Sequence, residues 1–178
     1  MGKMTGLEPV ESIPAKVLSA YEALQELVGE GRDINDISVS NITEKAGIGK
    51  GTIYDYFTSR EELIACGFLF YVNRMAESIS EVVSKMTSFR EQVYALFDAL
   101  DKDNCRKTCF VKFVHSATDN SQFSALIREK IAQSPVGRAL PEHLFGSLIL
   151  QGIQSGEIND KMPLEYFLYT LFCKVLTY

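Results

Sequence analysis

The chain has 178 residues, of which 46% are hydrophobic and 23% charged, and its formal net charge at pH 7 is −5. These values are typical of an ordinary globular protein and exclude an intrinsically disordered chain. Residues 1–13 contain no apolar run typical of a signal sequence, and no stretch approaches eighteen uninterrupted apolar residues. We therefore expect a cytoplasmic protein that does not span a membrane.

The first predicted helix begins near Pro14, because proline is well tolerated in the first turn of a helix, and it runs to about Val28. Gly29 and Gly31 end it. Its apolar residues recur at helical spacing and form one face, which we expect to brace the segment that follows. These residues are Val17, Tyr21, Leu24 and Val28.

Residues 38–57 predict two short helices joined by a turn rich in glycine. Ser38 is placed to cap the first of them with its side-chain oxygen. Gly47 follows the last apolar residue of that helix, where a left-handed backbone conformation is expected. The apolar face of this helix consists of Val39, Ile42 and Ala46.

The second short helix has a buried face made by Ile53 and Phe57, with Ile48 filling the turn before it. A helix of two turns is not stable alone, so its neighbours must hold it. The remaining side chains are small, hydrogen-bonding or aromatic, which is typical of a helix that lies in the DNA major groove. They are Lys50, Gly51, Thr52, Tyr54, Asp55 and Tyr56.

Residues 46–57, Ala-Gly-Ile-Gly-Lys-Gly-Thr-Ile-Tyr-Asp-Tyr-Phe, and the Ser-Arg-Glu-Glu-Leu at residues 59–63 resemble the helix-turn-helix of the TetR family of bacterial transcriptional repressors. The resemblance spans roughly residues 14–63. It implies an all-α homodimer with a DNA-binding domain over residues 1–60. An effector-binding and dimerisation domain would follow over residues 61–178.

The chain departs from the family pattern at three places. Gly49 stands where the family usually has Ser or Thr, and Thr43 replaces a usual alanine. The loop at residues 32–37 is about two residues longer than the common pattern. None of these changes falls on the groove-facing side chains named above, Lys50, Gly51, Thr52, Tyr54, Asp55 and Tyr56.

The predicted DNA contacts fall into two groups. Lys50 and Thr52 are candidates for base edges, Gly51 permits close approach, and Tyr54 can stack on a thymine methyl or reach a phosphate. By the resemblance, Tyr56 and Arg60 contact phosphates, whereas Asp55 either accepts from cytosine or repels phosphates. The full predicted set is Ser40, Gly49, Lys50, Gly51, Thr52, Tyr54, Asp55, Tyr56 and Arg60.

The net charge is unusual for a DNA-binding domain, because residues 1–60 hold six basic and nine acidic side chains, a net charge of −3. Phosphate neutralisation dominates non-specific affinity for nucleic acid. Specific binding must then depend on the local placement of Lys50, Arg60 and helix N-termini.

A long helix follows at once. Residues 59–62, Ser-Arg-Glu-Glu, form a capping box, and no proline interrupts the chain before Met86. About 27 residues at 1.5 Å each span about 40 Å, so this helix is the expected mechanical link between the domains. Its apolar stripe consists of Ile64, Phe68, Val72, Met75, Ile79, Val82 and Met86.

The remainder predicts further helices and no strand, so the fold class is all-α. A second capping box at residues 88–91 starts a helix that ends near residues 101–104. Helices are also expected around residues 110–117, 123–131, 144–152 and from Pro163 onward, with a turn at residues 135–141 and a stop at Gly156.

The predicted effector pocket and dimer interface are both apolar. Aromatic and sulfur-containing side chains suit a small organic ligand, although each is also an ordinary core residue, and the ligand itself is not predicted. The pocket candidates are Phe68, Tyr71, Met75, Phe97, Phe110, Phe113 and Phe123. The interface candidates, expected to form a four-helix bundle about a two-fold axis, are Leu144, Leu148, Gly152, Leu164, Phe167, Leu168, Leu171, Phe172 and Val175.

The sequence favours a DNA-binding repressor that a small molecule releases from a pseudo-palindromic operator over three alternatives. An enzyme is disfavoured, because His115 and His143 are the only imidazole bases and neither belongs to a catalytic motif. A thiol- or metal-responsive regulator would use Cys105 and Cys109, one helical turn apart. A helical adaptor would bind no DNA. The sequence predicts no catalytic residue, no cofactor and no bound metal.

Overall fold

The structure is a computed structural model that describes residues 4–101 and 122–161, together with residues 163, 166, 167, 170, 173 and 174. All regular structure in these residues is helical, which confirms the all-α fold. The α-helices are α1 (Ala15–Gly29), α2 (Val39–Ala46), α3 (Lys50–Tyr54), α4 (Arg60–Val83), α5 (Phe89–Asp101), α6 (Gln122–Gln133) and α7 (Pro135–Gln154). Short 3-10 helices span Val10–Ser12 and Ile34–Asp36.

The chain divides into two compact units. Unit 1 comprises Met1–Arg74 and Thr108–Arg138, and unit 2 comprises Met75–Lys107 and Ala139–Tyr178. Most of α4 and the whole of α6 therefore belong to the same unit as α1, α2 and α3. The functional division at residue 60 stays a prediction.

The core of unit 1 forms where α1 approaches α4. The predicted apolar face of α1 is buried, and the Tyr21 ring lies 6.1 Å from the Phe57 ring and 5.2 Å from the Phe70 ring, centroid to centroid. A Cβ at Gly67 would lie 2.7 Å from Leu24 Cδ2, so a larger residue there would require the Leu24 side chain to shift. This packing fixes α4 against the helix that braces α2 and α3.

A buried N-terminal segment precedes α1, and the sequence did not predict it. Met4 and Leu7 are 8% and 5% exposed. Gly6 has a φ of +79° and lies so close to α4 that a Cβ there would be 2.1 Å from the Cys66 carbonyl oxygen. The Glu8 carboxylate holds the turn by accepting hydrogen bonds from the Thr5 and Gly6 amides at 2.5 and 2.9 Å.

The core of unit 2 includes the inner face of α7. Leu148 and Ile149 are each 1% exposed, and a Cβ at Gly152 would lie 2.6 Å from Ile158 and 2.9 Å from Phe89. The predicted capping box before α5 is present, because the Glu91 amide donates to Ser88 Oγ and the Ser88 amide donates to the Glu91 carboxylate, each at 3.2 Å.

Two predicted boundaries outside the α2–α3 pair are wrong. The turn expected at residues 135–141 is the first part of α7. Pro135 is the first residue of that helix, where its missing N–H is not needed, and Pro141 removes one intrahelical hydrogen bond without ending the helix. The long helix α4 stops at Val83, three residues before Met86, and its 24 residues span about 36 Å.

Several predicted features lie outside the described residues, including the helix expected around residues 110–117 and most of the helix expected from Pro163. Across the described helices, the chain has no segment that combines the length and the apolar character needed to cross a membrane.

Candidate nucleic-acid interface

The first short helix, α2, is fixed at both ends by local interactions. Ser38 Oγ accepts a hydrogen bond from the backbone N–H of Asn41 at 3.1 Å, and Asn41 Oδ1 accepts one from the backbone N–H of Ser38 at 2.9 Å. The two residues therefore form a capping box. Gly47 ends the helix with a φ of +67°, and Ile42 is fully buried beneath it. The sequence predicted the Ser38 cap, the glycine and the buried face.

The second short helix, α3, is shorter than predicted. It covers five residues, and Phe57, expected on its inner face, lies beyond its end. The amides of Tyr56 and Phe57 both donate to the Ile53 carbonyl at 3.0 Å, so the chain closes into a turn there. Ile53 and Phe57 are nevertheless each 1% exposed, and together they anchor the helix to the core.

Apart from Arg60, the residues predicted to face DNA lie on α2, on α3 and beside the two ends of α3, and they are exposed or half-buried. Tyr54 is 51% exposed, and Lys50 Nζ donates to Ser40 Oγ at 3.3 Å, which joins the outer sides of the two helices. The space around a Cβ at Gly51 is open. Of the predicted set, Gly49, Lys50, Gly51, Tyr54 and Asp55 are exposed, and Ser40, Thr52 and Tyr56 are half-buried.

Arg60 has a different environment from the one predicted. Its Nε donates to the Ile37 carbonyl at 2.6 Å, and its Nη2 donates to the carbonyls of Ile34 and Asn35, the latter at 3.0 Å. Its Nη1 pairs with Glu61 at 3.0 Å. The guanidinium thus binds the loop that leads into α2. This role depends on contacts between residues 23 to 26 positions apart, which no local pattern indicates.

Lys45 links α2 to α1 through two carboxylates. Its Nζ lies 2.6 Å from Glu30 and 3.2 Å from Glu26. The hydrogen bond between Lys45 and Glu30 raises the pKa of the lysine and lowers that of the glutamate. The helices α2 and α3 carry one lysine each, Lys45 and Lys50. Unlike Lys45, Lys50 has no carboxylate within ion-pair distance among the described residues.

The start of α4 differs in one detail from the predicted capping box. Ser59 Oγ accepts from the Glu62 amide at 3.1 Å, as predicted, but the Glu62 carboxylate accepts from Thr58 instead of from the Ser59 amide. The Thr58 amide and hydroxyl both donate to Glu62 Oε2 at 2.6 Å, and Lys130 donates to Oε1 at 3.1 Å. Burial acts to raise the pKa of Glu62, but these hydrogen bonds outweigh it and lower the pKa.

The predicted effector residues are distributed over both units, and their role in binding a ligand stays a prediction. In unit 1, Phe68 packs edge-on against Phe123 with ring centroids 6.3 Å apart. A cavity of about 10 Å³ beside Phe68 and Tyr71 has room for one water molecule. In unit 2, Met75 is buried and Phe97 half-buried. Phe110 and Phe113 lie outside the described residues.

The predicted dimer residues are only partly described. Leu148 and Gly152 are buried within unit 2 instead of being exposed, whereas Leu150 on the same helix is 60% exposed. Phe167 is half-buried, and its ring centroid lies 6.3 Å from that of Tyr166. The side chain of Leu144 and all of Leu164, Leu168, Leu171, Phe172 and Val175 lie outside the described residues.

Among the described cysteines, Cys66 is buried and forms no disulfide. Burial raises the pKa of the Cys66 thiol to about 12, so it is protonated and donates to the Met4 carbonyl at 3.2 Å. Cys105 and Cys109 lie outside the described residues, so a response to thiol oxidation or metals stays a hypothesis.

Comparison with known proteins shows which proteins the chain around α2 and α3 resembles. Residues 30–65 match the family model described as "Bacterial regulatory proteins, tetR family". The fatty acid metabolism regulator protein of Bacillus subtilis is 25% identical over 154 residues, which cover 84% of this chain and 74% of that protein. The match to the family model covers the whole of α2 and α3.

Two solved structures share the fold. The fatty acid degradation regulator FadR from Bacillus halodurans aligns with a TM-score of 0.72 at 19% identity, over 93% of this chain and 83% of that one. FadR from Bacillus subtilis, crystallised with stearoyl-CoA, aligns with a TM-score of 0.67 at 22% identity, over 90% of this chain and 83% of that one. The proteins named in these comparisons are regulators.

Proposed function

Because this chain belongs to the TetR family of bacterial regulatory proteins and is a DNA-binding transcriptional regulator, we propose that its α3 helix reads a pseudo-palindromic operator as part of a homodimer. The supporting observation is the exposed Lys50–Ser40 contact on a helix pair whose inner face is anchored by Ile53 and Phe57. A rigid inner face with hydrogen-bonding side chains outside is what major-groove reading requires.

The roles within this surface differ. Lys50 and Thr52 contact base edges, and Tyr54 contacts a thymine methyl or a phosphate. Gly51 lets the helix approach the groove closely, since no side chain projects there. Tyr56 contacts the phosphate backbone. Arg60 instead positions the helix pair, since its guanidinium is already bound to the loop carbonyls before α2.

The effector is proposed to be a long-chain acyl-CoA. The supporting observation is that FadR of Bacillus subtilis, which has the same fold, was crystallised with stearoyl-CoA. The aromatic pair Phe68–Phe123 provides an apolar contact on α4, whose first residue follows closely after α3. An effector can release the operator only if it binds the released state more tightly than the DNA-bound state. A regulator of this kind acts in the bacterial cytoplasm, where the operator lies.

A mobility-shift assay tests the proposal. Fragments that the protein binds in the genome are recovered by footprinting, and the purified protein should retard them at submicromolar concentration. Stearoyl-CoA should then release the fragment, whereas CoA alone should not. Failure to retard any recovered fragment would contradict DNA binding, and retention of the fragment at saturating stearoyl-CoA would contradict the proposed effector.

A further inference from the structure

A buried ion pair joins α6 to the start of α4. Lys130 Nζ lies 3.1 Å from Glu62 Oε1, and the two side chains are only 9% and 8% exposed. The residues are 68 positions apart in sequence, so this contact is a product of the tertiary fold. Lys130 Nζ also donates to the Met4 carbonyl at 3.1 Å. Buried charges need such partners, since losing one partner leaves the other charge uncompensated.

Glu62 connects this pair to the end of the helix-turn-helix. Its second carboxylate oxygen accepts from both the amide and the hydroxyl of Thr58, at 2.6 Å each. Thr58 directly follows Phe57, the residue that anchors the turn after α3. Two positions before Glu62, Arg60 binds the loop that leads into α2. The first turn of α4 therefore holds the chain where it enters α2 and where it leaves α3.

The helices α4 and α6 contact each other at two separated points. Phe123 near the start of α6 packs on Phe68, whereas Lys130, two turns later, pairs with Glu62, which precedes Phe68. The later residue of α6 contacts the earlier residue of α4, so the two helices are antiparallel. Phe123 and Lys130 are about 10 Å apart along the axis of α6, so a rigid helix would carry a shift at one of them to the other.

We propose that Lys130 and Glu62 are positioning residues for operator recognition, which couple the placement of α6 to the orientation of α3. This inference rests on the proposed function. An effector that separates Phe68 from Phe123 would move Lys130 relative to Glu62, and the first turn of α4 would carry that change to Thr58 and the Arg60 loop. Lys130 touches no DNA in this account and acts only through Glu62.

The double variant Lys130→Met, Glu62→Gln tests the coupling. It removes both charges at once at nearly constant volume, so no unpaired charge stays buried and the fold should be kept. The measured quantity is the affinity for the operator divided by the affinity for an unrelated duplex at the same salt concentration. Active protein is first counted by stoichiometric titration. Unfolding of part of the protein would lower only the fraction of active protein. A misplaced α3 would lower the ratio of operator affinity to affinity for the unrelated duplex.

The ratio should fall about tenfold in the double variant, and stearoyl-CoA should change its operator affinity less than that of the natural protein. The matched control is Glu129→Gln, which makes the same carboxylate-to-amide change as Glu62→Gln, but at a residue of α6 whose partner, Gln133 at 2.8 Å, lies on the same helix. The control should keep the natural ratio. A double variant that discriminates the operator as well as the natural protein does would overturn the coupling alone. A natural protein that discriminates no sequence would instead overturn the proposed function.

Discussion

Arg60 Nε donates a 2.6 Å hydrogen bond to the carbonyl oxygen of Ile37, a fully buried residue 23 positions earlier in the chain. This bond joins the first residue of α4 to the loop that enters α2. It makes Arg60 part of the framework that orients the helix pair, although the family resemblance had assigned it to a phosphate.

The first prediction concerns Arg60. Arg60→Ala should lower the free energy of unfolding by about 1–3 kcal/mol, because three carbonyls of the loop lose a charged donor. Urea denaturation measures this loss. The slope of operator affinity against salt should stay unchanged in the folded variant. A slope lower by about one would instead indicate a lost phosphate contact, which is the role that the family resemblance implies for Arg60.

The second prediction compares two glycines that both have open space where a Cβ would lie. Gly47→Ala should lower the free energy of unfolding by about 1–2 kcal/mol, because its φ is +67°. Gly51→Ala should raise that energy by up to about 1 kcal/mol, because alanine is the better helix former. The same change should weaken operator binding, since a methyl group then projects toward the groove. Gly51→Ala that binds the operator normally would argue against close approach at this position.

The third prediction concerns pH. The lowered pKa of Glu62 in the folded protein means that its carboxylate contributes stability that is fully present above the unfolded-state pKa of about 4.3. That contribution is lost as the pH falls through the still lower folded-state pKa. In urea denaturation, Glu62→Gln should be less stable than the natural protein at pH 6, and the difference should shrink toward pH 3. A difference that is constant over this range would show that the Glu62 charge is not stabilised by the fold.

The fourth prediction concerns two leucines of α7. Leu148→Ala should lower the free energy of unfolding by about 2–5 kcal/mol, because the side chain is 1% exposed. Leu150→Ala should change it by less than about 0.5 kcal/mol in the monomer, because that side chain is 60% exposed. A dimer that uses this face of α7 would make Leu150→Ala weaken association in sedimentation equilibrium, whereas Leu148→Ala would act on folding. The homodimer itself stays a prediction.

The sequence predicts best what is encoded locally. The Ser38 cap, the left-handed Gly47 and the buried faces of α1 and α2 depend on residues a few positions apart, and all are present. The end of α3 was predicted too late because both Ile53 and Phe57 are buried, and burial alone does not distinguish a helix from the turn that follows it.

Contacts between distant residues could not be predicted in the same way. No local pattern pairs Lys130 with Glu62 or directs Arg60 to the Ile37 carbonyl, because these partners meet only after the helices have packed. The N-terminal segment was missed for a related reason. Met4, Gly6 and Leu7 have no helical periodicity, and their burial depends on the surface of α4 and α6 that receives them.

Lys50 is the residue that tests whether α3 reads DNA sequence. Lys50→Ala should reduce operator affinity by about 1–3 kcal/mol and relax discrimination at one base step. Lys45→Ala is the matched control, because this lysine lies on the neighbouring helix but is paired with Glu26 and Glu30. Its loss should leave sequence preference unchanged.

Selection of bound duplexes from a random pool, followed by sequencing, measures this most directly. The natural protein should enrich a pseudo-palindrome whose half-sites lie about 10 base pairs apart, or a multiple of that spacing, centre to centre. Lys50→Ala should lose preference at one position of each half-site, and Lys45→Ala should enrich the natural sequence. Enrichment of the same sequence by the natural protein and by folded Lys50→Ala would show that α3 does not read DNA through Lys50. Enrichment of no sequence by the natural protein would show that it does not read DNA sequence at all.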